Sequence, residues 1–434
     1  MIQRLKSFSQ NRFVRSVVTV ATGTAGAQAI TMACAPLITR IYGPEAFGLL
    51  GTFVAILAVL APMAALTYPI AIVLPKKDSE AKILAQLSIV LAFFTSSLVL
   101  ILILIWGDWL TKKLGAGEIG HYLLLIPAAM LGFALHQVME QWLIRNHQFK
   151  LTARVTVIQS AVLNITKVVA GLLLPLAGVL IVLQALAGAL HALLLWLYLR
   201  ATNIAPSAAE KSLGKVASKY KDFPLFRAPE MLLNGVSQAL PVIALTAFYG
   251  PVHAGFYTLS RMVLGVPVSL IGKSIKDVFY PTLSRVSDNG EDVFPLVLKS
   301  TLYLTALGAF PFGLVMVCGP LLFDLVFGED WRTAGEYARW LALMVFFIFS
   351  NSPSVTAVPV VKFQPFQFGY TAFSLPIRAL SIYIPYMLHQ TSIMSIAVFC
   401  VVNSILNVVF IILVLVKCHS FDKARNRHKF HQNS

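Results

Sequence analysis

The stretch 249-YGPVHAGFYTLSRMVLGVPVS-269 decides how the chain is read. It opens Tyr249-Gly250-Pro251, places Gly255 six residues after the tyrosine, and then runs apolar apart from one charge, Arg261. An earlier stretch, Tyr42 to Gly51, opens in the same way with Tyr42, Gly43 and Pro44, and again has a glycine, Gly48, six residues on. The copies lie 207 residues apart in a chain of 434, so the sequence reads as one unit written twice. Only the second copy carries a cation within its apolar run.

The surrounding composition makes that run a membrane span. Hydrophobic residues are 58% of the chain and charged residues 12%, with a mean hydropathy of +0.78. Those values exclude a soluble globular protein. Apolar runs of about 20 residues recur throughout, each enough to cross a hydrocarbon core of roughly 30 Å. Cys34, Cys318, Cys400 and Cys418 lie in or beside these runs with no CxxC spacing, so they read as packing residues and not as a metal or disulfide framework. Ala33-Cys34-Ala35 has the form of a leader cleavage site. The run before it, however, is long, rich in Gly, Ala and Thr, and without a leucine-rich centre, and it reads as the first span.

Twelve spans are expected, near 14–38, 45–70, 83–106, 120–141, 153–175, 177–199, 225–248, 252–273, 296–318, 334–356, 366–388 and 391–416. Assigning the loops alternately puts 26 cations on one side and only Arg40, Lys112, Lys113, Arg332 and Arg339 on the other. The net charge of +16 is thus a positive-inside bias and not a nucleic-acid footprint. It predicts an even number of spans with both termini in the cytoplasm.

The longest polar connection, Arg200 to Asp222, follows span six and divides the chain. The expected organisation is a first lobe at 1–200, a cytoplasmic linker at 201–224, a second lobe at 225–418 and a basic tail at 419–434. Further landmarks repeat in order: Tyr68-Pro69 with Tyr280-Pro281, and Gln148-Phe149 with Gln367-Phe368. Equivalent spans start on the same side, so the halves are expected to be parallel repeats. The fold class is therefore all-α integral membrane, with two pseudo-symmetric six-helix bundles around a central cavity.

Once loop cations are set aside, Lys167, Arg261 and Arg378 remain inside spans, with no carboxylate at comparable depth. A charge at mid-membrane costs several kcal/mol and ordinarily faces a partner, water or a substrate path. Each sits in a polar stripe at helical spacing: Ser160, Asn164, Lys167, Gly171; Tyr257, Arg261, Gly265, Ser269; and Thr371, Ser374, Arg378, Ser381. Span seven adds Arg227, Glu230, Asn234 and Ser237 or Gln238, and span one adds Thr24, Gln28 and Thr31. Alternatives stand beside the cavity reading. Lys167 lies about 12 Å from the outer end of its helix, within snorkelling reach. Arg261 and Arg378 are too central for that, and their alternative is a structural ion pair or carbonyl cap. The small residues of span one also suit close packing. His136 and His191 read as packed histidines, with a proton relay as the alternative.

Mid-span prolines such as Pro62, Pro241, Pro311 and Pro376 invite kinks. No phosphate loop, HExxH, GxSxG or clustered acid pair is present, so no catalytic residue, metal ligand or cofactor is expected.

Twelve spans in two halves, Tyr-Gly-Pro opening spans two and eight, and 279-FYPTLSR-285 after span eight together resemble the bacterial polysaccharide flippases. These are the oligosaccharidyl-lipid branch of the multidrug/oligosaccharidyl-lipid/polysaccharide (MOP) exporter superfamily, which includes the O-antigen flippases. The resemblance covers almost the whole chain through short, degenerate motifs. It implies alternating access that moves an undecaprenyl-diphosphate-linked oligosaccharide from the cytoplasmic to the periplasmic leaflet of the inner membrane. It further implies contacts from Arg261, Arg378, Lys167 and Arg227 to the diphosphate or acidic sugars, as cavity positions. Asn164, Asn234, Gln238 and Gln28 complete the expected substrate-binding set. The implied partners are that lipid-linked oligosaccharide, membrane lipids and other polysaccharide-assembly proteins, with no nucleic acid. The residues agree independently, because deep charges that are all cationic favour an anion, and guanidinium binds such oxygens bidentately.

Three rival readings make different demands. A multidrug antiporter of the same superfamily should need deep carboxylates for a cationic drug. A polysaccharide polymerase or ligase should carry a large outer loop, whereas the longest here, Gly319 to Glu336, is modest. A bare scaffold leaves the intramembrane cations without a role.

Overall fold

The computed structural model describes residues 12–113, 117–201 and 213–432. Part of the expected linker, residues 202–212, lies outside these, as do Arg4, Lys6 and Lys211. Among the described residues the regular structure is helical, with no strand. The helices are α1 Arg12–Leu60, α2 Tyr68–Ala71, α3 Asp78–Lys113, α4 Gly120–Leu123, α5 Ile126–Arg145, α6 Phe149–Leu173, α7 Ala177–Ala201 and α8 Leu213–Lys219. They continue with α9 Ala228–Tyr249, α10 Pro251–Asp288, α11 Phe294–Phe327, α12 Arg332–Ser350, α13 Ser352–Ala357, α14 Gln364–Met387 and α15 Ser392–Gln432. Nine stretches among the described residues are long and apolar enough to cross a membrane, and the first, Thr19–Met63, spans the break in α1. Helices α10 and α14, of 38 and 24 residues, lie outside that set, α14 because Arg378, two prolines and its tyrosines dilute its apolar character. The sequence count of twelve includes these two and treats the halves of α1 separately.

Contacts group the chain into two units, up to Thr258 and from Leu259 onward. In the first unit α1 packs along α6 and α9, and α5 packs along α7 and α3. One apolar cluster gathers Phe53, Ile126 and Met130, and another gathers Leu84, Trp142 and Leu143. Arg145 closes the second, donating to the Pro75 carbonyl at 2.6 Å and to Asp78 at 2.8 Å. The second expected span stops early. Helix α1 ends at Leu60, where Pro62 opens a 3-10 turn and left-handed Leu66 and Thr67 follow.

The Tyr-Gly-Pro repeat has a geometric cause. Gly43 and Gly250 adopt φ 71°, ψ 175° and φ 89°, ψ 170°, a region that side chains disfavour, and the next proline starts a helix. Six residues after each tyrosine, the second glycine lets two helix starts cross. A Cβ on Gly48 would overlap the Pro251 carbonyl oxygen, and one on Gly255 would overlap that of Pro44. The two notches are reciprocal, as a local two-fold between repeats requires.

In the second unit α11 packs on α12, and α12 and α14 pack on α15, over a core of Leu283, Val297, Val358, Phe410 and Val414. Two features here go beyond the sequence reading. The residues expected as a basic tail from 419 continue α15 to Gln432. It is held because buried Asp422 accepts the amide hydrogens of Val293 (3.0 Å) and Phe294 (2.8 Å) at the start of α11, while Arg425 donates to the carbonyls of Ser287 and Glu291. The repeat of Gln148-Phe149 also shifts register. Helix α6 begins after left-handed His147, and α14 begins after left-handed Lys362, 215 residues on. Gln367-Phe368 therefore lies one turn inside its helix.

Candidate substrate site

In the second unit, two of the deep cations come together. Arg261 on α10 and Arg378 on α14 are both partly buried. They lie within electrostatic reach of each other, as do Tyr370 and Arg378, and Cys400 of α15 and Arg261. The hydroxyls of the α14 stripe turn inward to their own helix. Thr371 donates to Gln367, Ser374 to Thr371 and Ser381 to Arg378, at 2.7–2.9 Å. What the stripe presents is therefore the guanidinium. Tyr370 is fixed by a 2.6 Å hydrogen bond to the Leu406 carbonyl.

A groove of about 680 Å³ runs between α14 and α15, lined by Ile377, Leu380, Ile384, Leu388, Met394 and Val398 among others. Its walls are almost wholly apolar.

The first unit sorts the remaining candidates. Asn164 and Lys167 do not project freely, because α6 presents its polar stripe to α1. Ser160 donates to the Ala27 carbonyl at 2.8 Å, Asn164 reaches Thr31 at 3.1 Å, and Tyr42 donates to the Lys167 carbonyl at 2.9 Å. Lys167, 8% exposed, gives its ammonium to Gln184 of α7 at 3.0 Å. This stripe is a polar seam between helices. Arg227 is also engaged, pairing with Glu230 at 2.8 Å at the exposed entrance to α9. Exposed pairs of this kind contribute little to stability, but the charge of Arg227 is matched.

Asn234 and Gln238 continue that face, and both are exposed in the middle of a span-length apolar segment, Phe223–Tyr249. Gln28 is partly buried on α1.

One feature escaped the sequence reading. Lys150 and Arg154, counted there as loop cations, line a groove of about 550 Å³ with Thr19, Thr22 and Gly23 at the end that carries the basic loops. Their spacing of four along α6 was the available signal; the neighbouring threonines of α1 were not predictable from it.

A family model described as "Polysaccharide biosynthesis protein" matches residues 37–336. Among curated proteins, the succinoglycan biosynthesis transport protein ExoT of Rhizobium meliloti (strain 1021) is 24% identical over 362 residues. That match takes in 79% of this chain and 66% of the relative, so the chain spans just under two thirds of its length. An inward-facing multidrug resistance MATE family transporter of the MOP superfamily superposes with TM-score 0.74 at 15% identity, covering 91% of this chain and 96% of its own. The lipid II flippase MurJ in an inward closed conformation gives 0.69 at 14%, covering 95% and 92%. A MOP superfamily transporter from Pyrococcus furiosus, distinguished by reverse polarity of its binding pocket, gives 0.61 at 14%, covering 95% and 96%. At such identities the likeness is one of fold, and the fold is the all-helical membrane fold of the MOP transporters.

Proposed function

This chain belongs to the polysaccharide biosynthesis protein family, and we propose that it is a flippase for an undecaprenyl-diphosphate-linked oligosaccharide, an O-antigen or other surface polysaccharide repeat unit. It carries the headgroup from the cytoplasmic to the periplasmic leaflet of the inner membrane by alternating access. Twelve spans, cytoplasmic termini and lobes divided at residues 201–224 belong to the same reading and rest on the positive-inside bias and the sequence repeat.

The observation that carries the proposal is that Arg261 on α10 and Arg378 on α14 lie within electrostatic reach of each other. Two guanidinium groups within reach of each other can bind one anion, and a diphosphate supplies oxygens for both. The apolar groove between α14 and α15 suits the isoprenoid tail. Asn234 and Gln238 offer amides to sugar hydroxyls, and the Lys150–Arg154 groove offers a first stop for the headgroup on the cytoplasmic side. Lys167 and Asn164 serve this reading by holding α6 against α1 and α7, not by touching substrate.

The test is leaflet reversal of a labelled lipid-linked oligosaccharide in proteoliposomes. Arg261→Gln and Arg378→Gln should each lower the rate at least tenfold while the protein remains folded. Full activity in both variants would end the proposal. A multidrug antiporter shares the fold; it would instead export cationic drugs with the arginines dispensable.

A further inference from the structure

Helix α6 carries a second stripe, set away from the polar seam of Ser160, Asn164 and Lys167. Its exposed positions are Lys150 and Arg154, then Ile158, Val162, Ile165 and Val169, spaced by three or four. Two cations head this stripe. The four aliphatic side chains that follow are 43–57% exposed, as a face in contact with hydrocarbon would be.

The cations sit in a notch. Gly23 of α1 lies so close to Ala153 of α6 that a Cβ on the glycine would overlap it. The groove of about 550 Å³ lies at this contact, with Thr19 and Thr22 from α1 and Lys150 and Arg154 from α6. Thr19 opens the first span-length apolar stretch, and Lys150 stands in the first turn of α6, so the cations lie at headgroup depth. That end of a helix also favours anions. Among the described residues neither Lys150 nor Arg154 has a hydrogen-bond or ion-pair partner. Other cations at the basic end do: Arg145 has Asp78, Lys219 has Glu80 and Arg227 has Glu230.

Unmet positive charge, a concavity and an aliphatic stripe together describe a ligand that is anionic at one end and apolar along the rest. A water-borne anion would meet the cations alone. From Arg154 to Ile165 is 11 residues, about 16 Å along the helix, close to half of a hydrocarbon core of roughly 30 Å. An acyl chain of one leaflet covers that distance. We propose that the groove binds an anionic phospholipid of the leaflet on the basic-loop side, its phosphate held by Lys150 and Arg154 and one acyl chain laid along Ile158, Val162 and Ile165. Both cations give the phosphate charge-assisted hydrogen bonds. The exposed Thr22 hydroxyl, which donates to the Thr19 carbonyl at 3.0 Å, keeps the α1 wall polar. The site does not rest on the flippase reading, in which the same cations receive an arriving headgroup. Both ligands are lipid phosphates, and competition separates them.

The full chain in phosphatidylcholine nanodiscs tests the site with trace photoactivatable lipids that carry a diazirine in the acyl chain. Phosphatidylglycerol and phosphatidylcholine probes with identical chains are compared, and labelled peptides are located by mass spectrometry. The phosphatidylglycerol probe should label residues 158–165 more strongly by about fivefold or more, the factor that one Lys or Arg supplies near an anionic lipid. Lys150→Gln with Arg154→Gln should make the two probes equal, and continued labelling by phosphatidylcholine shows that α6 is still in place. Lys76→Gln with Lys77→Gln, two exposed cations of another basic loop, should leave the preference intact. Equal labelling by both probes in the wild-type protein would overturn the site. So would a preference that survives loss of Lys150 and Arg154, or one that disappears with Lys76 and Lys77. Unlabelled phosphatidylglycerol should suppress the labelling. Suppression by undecaprenyl diphosphate and not by phosphatidylglycerol would give the groove to the transport substrate and overturn the proposal.

Discussion

Replacing Gly48 with alanine would place a methyl group where two helix starts already touch. Its Cβ would overlap the carbonyl oxygen of Pro251, and backbone has no rotamer with which to move aside. The helices must separate, and overpacking of this kind costs about 1–3 kcal/mol. Gly255→Ala meets the Pro44 carbonyl in the same manner and should cost a similar amount. Because the notches are reciprocal, opening the crossing for one methyl makes room for the other. The double variant should therefore fall short of the summed single costs by about 1 kcal/mol or more. Gly265→Ala is the control: nothing stands within 4 Å of its Cβ, so the change should be neutral or stabilising by up to about 1 kcal/mol. Denaturant unfolding of the detergent-solubilised chain, followed by tryptophan fluorescence, gives the comparison. Strict additivity, or a Gly48→Ala variant as stable as Gly265→Ala, would refute the crossing.

Three further outcomes follow from single contacts. Asp422→Ala removes two charge-assisted hydrogen bonds at the start of α11 and should cost about 2 kcal/mol in the same unfolding measurement. Gln184→Leu leaves the buried Lys167 ammonium without that acceptor and should cost about 1.5–3 kcal/mol, whereas Lys167→Met, which removes the charge itself, should cost less. In a cysteine-free background, Asn234→Cys and Gln238→Cys should react with a membrane-impermeant thiol reagent, while Phe373→Cys, 69% exposed on α14 and facing lipid, should not. Equal protection at all three positions would remove the wet face from α9.

The features legible in the sequence are those that the bilayer and the backbone impose locally. Span length follows from hydrocarbon thickness, and a Tyr-Gly-Pro motif followed by a spaced glycine encodes a positive φ and a close approach in nearby residues. The Asn234–Gln238 face was readable for the same reason, since helical spacing alone aligns it. The Asn164–Lys167 stripe shows where that method stops. Its spacing is as regular as that of Arg378, yet it meets Thr31 and Gln184 across two helix contacts. Which surface a stripe faces is decided by neighbours distant in sequence. His136 and His191 meet for the same reason, and α15 runs on past residue 419 because Asp422 finds the start of α11.

Helix α10 carries both the tight crossing and one of the deep cations. Gly255 and Arg261 are six residues apart, about 9 Å along the axis and roughly 120° around it. The notch therefore faces α1 while the guanidinium points elsewhere. The first turn of α10 cannot slide past α1 without lifting both carbonyls from their glycine notches. Intermediate separations lose packing and relieve nothing, so such a crossing tends to be either closed or parted. A ligand shifts that balance only as far as its interaction differs between the two arrangements. In the first repeat, the half of α1 after Pro44 carries the same notch but no cation before Leu60. The duplicated motif thus provides the crossing from both sides, while only the second copy carries a cation further along the same helix.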